Sequence, residues 1–507
     1  MGRSKNAFRN IFWGALQKII ILLTPFITRT VLIKILGAEY LGLNSLFKSV
    51  LGLLSLAELG VSDAIISAMY KPIAKKDKVA ICALMNFFRK AYYIIGGIIA
   101  IIGLALCPFV PQFISGEIPD DINIYILYFV YLGDTAISYF LFAYKNCLFA
   151  AHQRNDVNSK IQAACRLGQG IIQIVLVSIF KNFYCFAIVI PATSISINLI
   201  TGYLAKREFP EYVCYGKLPK NTFQDVKKRV AGLMLGKVSS TIRNSIDSLF
   251  VSAFLGLTAV AMYSNYFYIV TAVAGMIQVI ESSLVAGIGN SIVLESTEKN
   301  YHDLNKMTFI LQWLVGWCAI CILCLEQPFM ELWVGKDLMF SDTMALLCSV
   351  YLFVLCICII RSAYTQALGI WWELRYLSII DIIVNLLLNY FGIRFFGAYG
   401  ILGATILDIV IVSIPWTTYY LFKGYFGAAL YKEYMVSYLK YFICFAIGAL
   451  ITWGICFHLP ITNTLSKLII RLIICIIVPN LLYYLLFFKT MLFKEAKSFI
   501  KKAVLTR

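Results

Sequence analysis

Residues 91–112 read AYYIIGGIIAIIGLALCPFVPQ, twenty-two positions without one charged side chain. A helix rises about 1.5 Å per residue, so about 20 apolar residues cross the hydrocarbon layer of a bilayer. The stretch reads as a transmembrane helix. Comparable runs recur on both sides of it, near 10–36, 40–70, 122–150, 160–181, 183–205, 230–255 and 258–292. Further runs fall near 303–325, 341–368, 375–396, 399–422, 436–457 and 465–488, which makes fourteen spans with the first. Several exceed the minimum length and predict tilt or kinks. No window alternates with period two, which argues against a β-barrel. The expected class is therefore all-α: a polytopic membrane protein of about fourteen transmembrane helices.

Composition agrees with this. Of 507 residues, 61% are hydrophobic and 14% charged, with a mean hydropathy of +0.81. Soluble chains carry about 45–50% apolar and about 25% charged residues. Arg3, Lys5 and Arg9 before the first span superficially resemble a signal peptide. The run that follows is too long, contains Lys18 and Arg29 and lacks a small-residue cleavage site, so it is expected to stay.

The net charge of +18 has a positional explanation. With the start inside, eight inner loops hold 33 of the 44 Lys and Arg residues, while the outer loops hold Lys181, Lys336, Arg394 and Lys467. Basic residues are retained on the cytoplasmic side during insertion, so both ends are predicted to be cytoplasmic. This removes most of the charge argument for a nucleic-acid partner. The outer loop 107–121 is instead acidic and proline-rich. Cys318, Cys321 and Cys324 form a CxxCxxC run, but the fourth position of a cluster motif is Pro328 and the run lies in an apolar helix. His152, His302 and His458 share no ligand spacing. No metal and no cofactor is expected.

Lys18, Leu36 and Gly37 recur as Lys237, Leu255 and Gly256, a shift of 219; Ala143, Tyr144 and Leu148 recur as Ala363, Tyr364 and Leu368, a shift of 220. Two nearly equal shifts suggest that spans one to six were duplicated as spans seven to twelve. Both halves start at an inner loop, which describes a parallel repeat. The expected organisation is 1–205 as a first lobe, 206–229 as a basic linker, 230–424 as a second lobe, and 425–507 as two added spans with a tail.

The opening residues Arg9, Asn10 and Leu36-Gly37-Ala38-Glu39-Tyr40-Leu41-Gly42-Leu43 resemble the start of bacterial polysaccharide flippases of the Wzx type. The runs Glu58-Leu59-Gly60-Val61-Ser62-Asp63-Ala64 and Asn385, Gly397, Tyr399-Gly400, Gly403-Ala404 are similar to later parts of that family. The resemblance extends over essentially the whole chain. It implies two six-helix lobes in a V around a central cavity, in a superfamily shared with multidrug exporters and the lipid II flippase. The implied cargo is an oligosaccharide on a polyprenyl diphosphate, moved from the inner to the outer leaflet of the bacterial plasma membrane for surface polysaccharide. Other polysaccharide assembly proteins are implied partners.

Charges at membrane depth are costly and mark candidate sites. The basic candidates for binding a diphosphate are Arg29, Arg243, Lys18, Lys48 and Lys237; Lys34 and Arg471 lie where snorkelling explains them. Guanidinium suits a diphosphate best. Lys18 and Arg29 share one helix face, with Pro25 between them predicted to bend the helix. Asp134, Asp247, Glu58, Asp63 and Glu281 are candidates for coupling or gating, with H⁺ or Na⁺ as the coupling ion. The alternative is internal pairing: Arg243 and Asp247 are four apart, where helix neighbours meet.

No phosphate-binding GxxxxGK[ST] loop is present. None is needed for an anion leaving a negative-inside cell, because two charges crossing 100 mV gain about 4–5 kcal/mol. Two other classes are weighed. An ion-coupled multidrug antiporter of the same superfamily would rely on acidic cavity residues. A membrane polysaccharide polymerase or acyltransferase would need a conspicuous catalytic loop, and the longest outer loop has about fifteen residues.

Overall fold

The computed structural model describes residues 3–55, 61–116, 118–219, 223–224, 241–243, 245–370 and 373–505. Glu58 and Lys237 lie outside them. Among the described residues every regular element is helical. All fourteen predicted spans overlie helix in their described portions; 56–60 of the second and 230–240 and 244 of the seventh are outside the described residues. Ten helices are individually long and apolar enough to cross a membrane among the described residues. An eleventh span is a pair, Ile124–Phe140 and Ala143–Ala151, bent by 50°.

The chain forms two compact units, Met1–Ala261 and Met262–Arg507. The first contains α1 (Arg3–Ile35), α2 (Ala38–Leu54), α3 (Val61–Lys75), α4 (Lys78–Leu106), α5 (Ile124–Phe140), α6 (Asn146–Ala151), α7 (Asn155–Phe180) and α8 (Phe183–Glu208). It ends with α9 (245–255) and the first turn of α10 (Leu257–Leu294). Polar side chains in the loops start several of these helices by accepting otherwise unpaired N–H groups. Asn123 accepts from Tyr125 and Ile126 at 3.1 and 3.3 Å, and Asn182 from Tyr184 at 2.8 Å. Lipid offers no hydrophobic drive between helices, so close packing holds them together. Helices α1 and α7 lie along each other, and Gly170 makes this possible: a Cβ there would stand 2.1 Å from Thr24 Cγ2.

A polar knot ties the base of this unit. Asp156 is fully buried and accepts hydrogen bonds from Arg9 Nη2 at 3.1 Å, Lys160 at 3.2 Å and Arg154 at 3.3 Å. The Asp156 backbone N–H donates to Asn10 Oδ1 at 2.8 Å. Arg9 and Asn10 thereby join the start of α1 to the start of α7.

The second unit is built on α11 (Thr297–Val334), which packs against α12 (Asp342–Cys356), α17 (Leu430–Phe457), α18 (Thr464–Phe487) and α19 (Met491–Leu505). Around them lie α13 (Ile359–Leu368), α14 (Arg375–Phe396), α15 (Ala398–Asp408) and α16 (Ile414–Leu421). Here α14 and α15 approach so closely that a Cβ on Gly400 would lie 1.9 Å from the Gly392 carbonyl oxygen. A π-helical stretch, Ile409–Ser413, precedes Pro415, whose missing N–H interrupts regular α-helix pairing.

Two boundaries differ from the sequence reading. The ninth span does not stop at 325, because α11 continues through Pro328 to Val334 and takes Glu326 into the helix. The tail after residue 489 contains α19, an amphipathic helix docked on α11, with Phe493 stacked on Trp313 at 5.9 Å.

Candidate functional site: a cationic cavity in the first unit

Four helices of the first unit enclose a cavity of about 330 Å³. Helix α1 contributes Thr24, Pro25, Thr28 and Arg29, positions that recur on one helix face. Pro25 removes a backbone donor, and Thr28 Oγ1 donates to the Pro25 carbonyl at 3.2 Å. Helix α2 adds Asn44 and Lys48, one turn apart, and α7 adds Gln162, Arg166, Gln169 and Gln173 at the spacing of a single stripe. Phe186 of α8 closes one side.

The polar lining is held in place by its own hydrogen bonds. Arg166 Nη1 donates to Gln169 Oε1 at 2.8 Å, and Gln173 Nε2 to the Phe186 carbonyl at 3.1 Å. Tyr131, buried on α5, donates to Asn44 Oδ1 at 2.7 Å. Lys48 stands within the bundle yet is exposed, so its exposure is to the cavity. Among the described residues, three cations line the cavity and no carboxylate does.

Asp134 of α5 is an acidic group within electrostatic reach of this set. It interacts electrostatically with Lys48 and Arg166 and hydrogen-bonds with Ser194 of α8. Asp134 itself lines a second, more open cavity of about 390 Å³, with Ser55, Ser62, Thr135, Ser138 and Asn146. Among the described residues the lining itself is therefore cationic, and a cationic lining in a low-dielectric interior favours an anionic ligand over a cationic one.

The structure thus brings Arg29 and Lys48 together and adds Arg166, which the loop boundaries of the sequence reading place in an inner loop. Lys18 is exposed on α1, outside the cavity lining. Arg243 is half-buried at 241–243, just before α9, and Asp247 is buried on α9; neither lines this cavity. Asp63 falls in the first turn of α3. In the second unit, Glu281 of α10 accepts a hydrogen bond from Gln366 of α13. Beside it Arg361, which the sequence reading counts with the inner-loop charges although it lies within the span 341–368, is buried and donates to the Ile414 carbonyl and to Thr418 Oγ1, both at 2.9 Å. Glu326 is buried on α11 against Cys348. A polar residue at helical spacing was the available signal for Arg166; for Arg361 it was the span read over 341–368, which already contains it.

The sequence model of the family described as polysaccharide biosynthesis protein matches residues 7–285. No curated protein matches by sequence. Among solved structures, the fold is similar to the lipid II flippase MurJ in an inward closed conformation, with a TM-score of 0.67 at 14% identity, over 94% of this chain and 99% of that one. It is also similar to an inward-facing multidrug resistance MATE family transporter, with a TM-score of 0.63 at 16% identity, over 80% of this chain and 94% of that one. A third is a transporter of the same superfamily from Pyrococcus furiosus, described as having a binding pocket of reverse polarity, with a TM-score of 0.55 at 16% identity, over 84% and 96%. The chain is a multi-pass membrane protein of the polysaccharide biosynthesis protein family, with the fold of the flippases and transporters of that superfamily.

Proposed function

We propose that the protein is a flippase that moves a polyprenyl-diphosphate-linked oligosaccharide from the inner to the outer leaflet of a bacterial plasma membrane, with both termini cytoplasmic. The observation that carries this reading is the cavity lined by Arg29, Lys48 and Arg166 without a carboxylate among the described residues. A diphosphate diester brings about two negative charges and many acceptor oxygens, and guanidinium and ammonium groups are its natural donors. The lining glutamines and threonines suit the first sugar hydroxyls. A drug antiporter taking hydrophobic cations would meet repulsion there. Asp134, within electrostatic reach of Lys48 and Arg166, is the group best placed to link an incoming H⁺ or Na⁺ to cargo release.

The test is surface glycan in a bacterial strain lacking its own flippase. Arg29→Ala and Arg166→Ala are expected to lower export about tenfold or more, since a hydrogen bond to a charged group contributes about 1.5–3 kcal/mol. Arg166→Lys should recover part of it, because ammonium keeps the charge but loses the planar fork. Full export from both alanine variants at normal membrane levels would contradict the reading.

A further inference from the structure

Three thiols from helices far apart in the chain meet inside the second unit. Cys324 of α11, Cys456 in the last turn of α17 and Cys475 of α18 are buried, and their sulfurs all lie within 4.8 Å of one another. Cys321, one turn before Cys324, hydrogen-bonds with Cys475. As small hydrophobes, cysteines need not face one another to pack. The backbone behind these three is also fixed. Arg471 donates to the Cys324 carbonyl at 3.1 Å and to the Cys456 carbonyl at 3.2 Å, and Trp317 donates to the Cys475 carbonyl at 2.8 Å. Such outer hydrogen bonds are what orient ligands around a metal.

We propose that Cys324, Cys456 and Cys475 are a thiolate site for one zinc ion, with Arg471 as its balancing charge. Zinc–sulfur bonds of about 2.3 Å place the sulfurs of one centre about 4 Å apart, so the side chains need draw in by only about an ångström. Binding forms three Zn–S bonds, keeps one water of the hydrated ion as the fourth ligand, and releases the three S–H protons to water. Three thiolates with Zn²⁺ carry one negative charge, and the Arg471 guanidinium cancels it. A neutral assembly is the one a low-dielectric interior tolerates best. The same arithmetic accounts for a cation on α18, since carbonyl bonds solvate Arg471 but do not neutralise it. A monovalent copper ion in the same site would leave one charge uncancelled. Once bound, zinc would staple α17 and α18 to α11.

The experiment is metal analysis of the full chain purified under reducing conditions in lipid nanodiscs. One zinc per chain is expected, lost in Cys456→Ser and in Cys475→Ser but kept in Cys358→Ser, a buried thiol outside the cluster. Wild-type protein reloaded with cobalt should show thiolate-to-cobalt charge-transfer absorption, a readout that needs no variant to fold. Wild-type protein with neither zinc nor that absorption would overturn the proposal. So would copper in place of zinc, or a disulfide between any two of the three cysteines.

Discussion

Arg166 stands near the middle of α7, where a solvated loop residue has no place, and its neighbours explain why it is there. Gln162, Gln169 and Gln173 extend its stripe, and Gln169 takes one of its donors. The stripe is legible as a helical recurrence of polar residues, but the inner loop read over 145–166 overlaps the span read from 160, and Arg166 is counted there with the loop charges. Arg29 and Lys48 are legible as candidates from depth alone, because a cation at membrane depth is costly. Arg243 is legible for the same reason, yet it lies off the cavity, and depth cannot tell which face a charge occupies. Its role is separable by a double change. If Arg243 binds cargo, Arg243→Ala with Asp247→Ala should stay as defective in export as Arg243→Ala alone. Wild-type export from the double variant would show that the arginine only balances Asp247.

Cys214 serves as the residue-scale test of orientation. It lies in the segment after α8 and is half-buried, whereas Cys82 is fully buried and should not react. Burial raises the Cys214 thiol above its usual range, with Tyr144 and nearby cations opposing that rise. The thiolate is the reactive form, so labelling should be slow at neutral pH and accelerate as pH rises through the alkaline range. Labelling of Cys214 in inside-out vesicles but not by an impermeant reagent outside intact cells is expected from cytoplasmic placement. The reverse would refute the orientation.

At the scale of the element, the irregular stretches carry the information that periodicity misses. The ninth span is read as ending at 325, yet neighbouring helices can satisfy the groups that Pro328 frees, and α11 runs on to Val334. Glu326 is hidden by that boundary. The π-helical stretch before Pro415 presents the Ile414 carbonyl to Arg361, a contact that no sequence window could display. By contrast, the Gly397, Tyr399-Gly400 pattern has a direct physical reading. Gly397 ends α14 with φ of 58°, and Tyr399 contacts Ser341 at 3.0 Å. Gly400 lets α15 touch the backbone of α14. Gly400→Ala therefore has to push α14 and α15 apart, and a loss of about 1–3 kcal/mol is expected for such overpacking. A lower thermal midpoint of the detergent-solubilised protein, with Gly403→Ala nearly neutral because its Cβ meets open space, would bear this out.

For the whole molecule, the span count and helical class follow from hydrophobic length alone, since a bilayer admits few other solutions. The duplication suggested by the 219 and 220 shifts is a proposal, and its paired positions can be compared one by one. Gly37 and Gly256 both take positive φ at a helix junction, and Glu39 accepts a hydrogen bond at 3.1 Å from Thr258, its partner under the same shift. Tyr144 and Tyr364 are both buried just past a break in their spans. The choice of cargo, however, rests on side-chain direction inside the bundle, which only coordinates reveal. The most direct test reconstitutes the protein in liposomes with a polyprenyl-diphosphate oligosaccharide and follows its arrival in the opposite leaflet. Wild type is expected to move the lipid faster than protein-free liposomes, and faster still when the potential favours anion movement, while Arg29→Ala with Arg166→Ala falls to the background rate. Transport of hydrophobic cations with no movement of the diphosphate lipid would contradict the account.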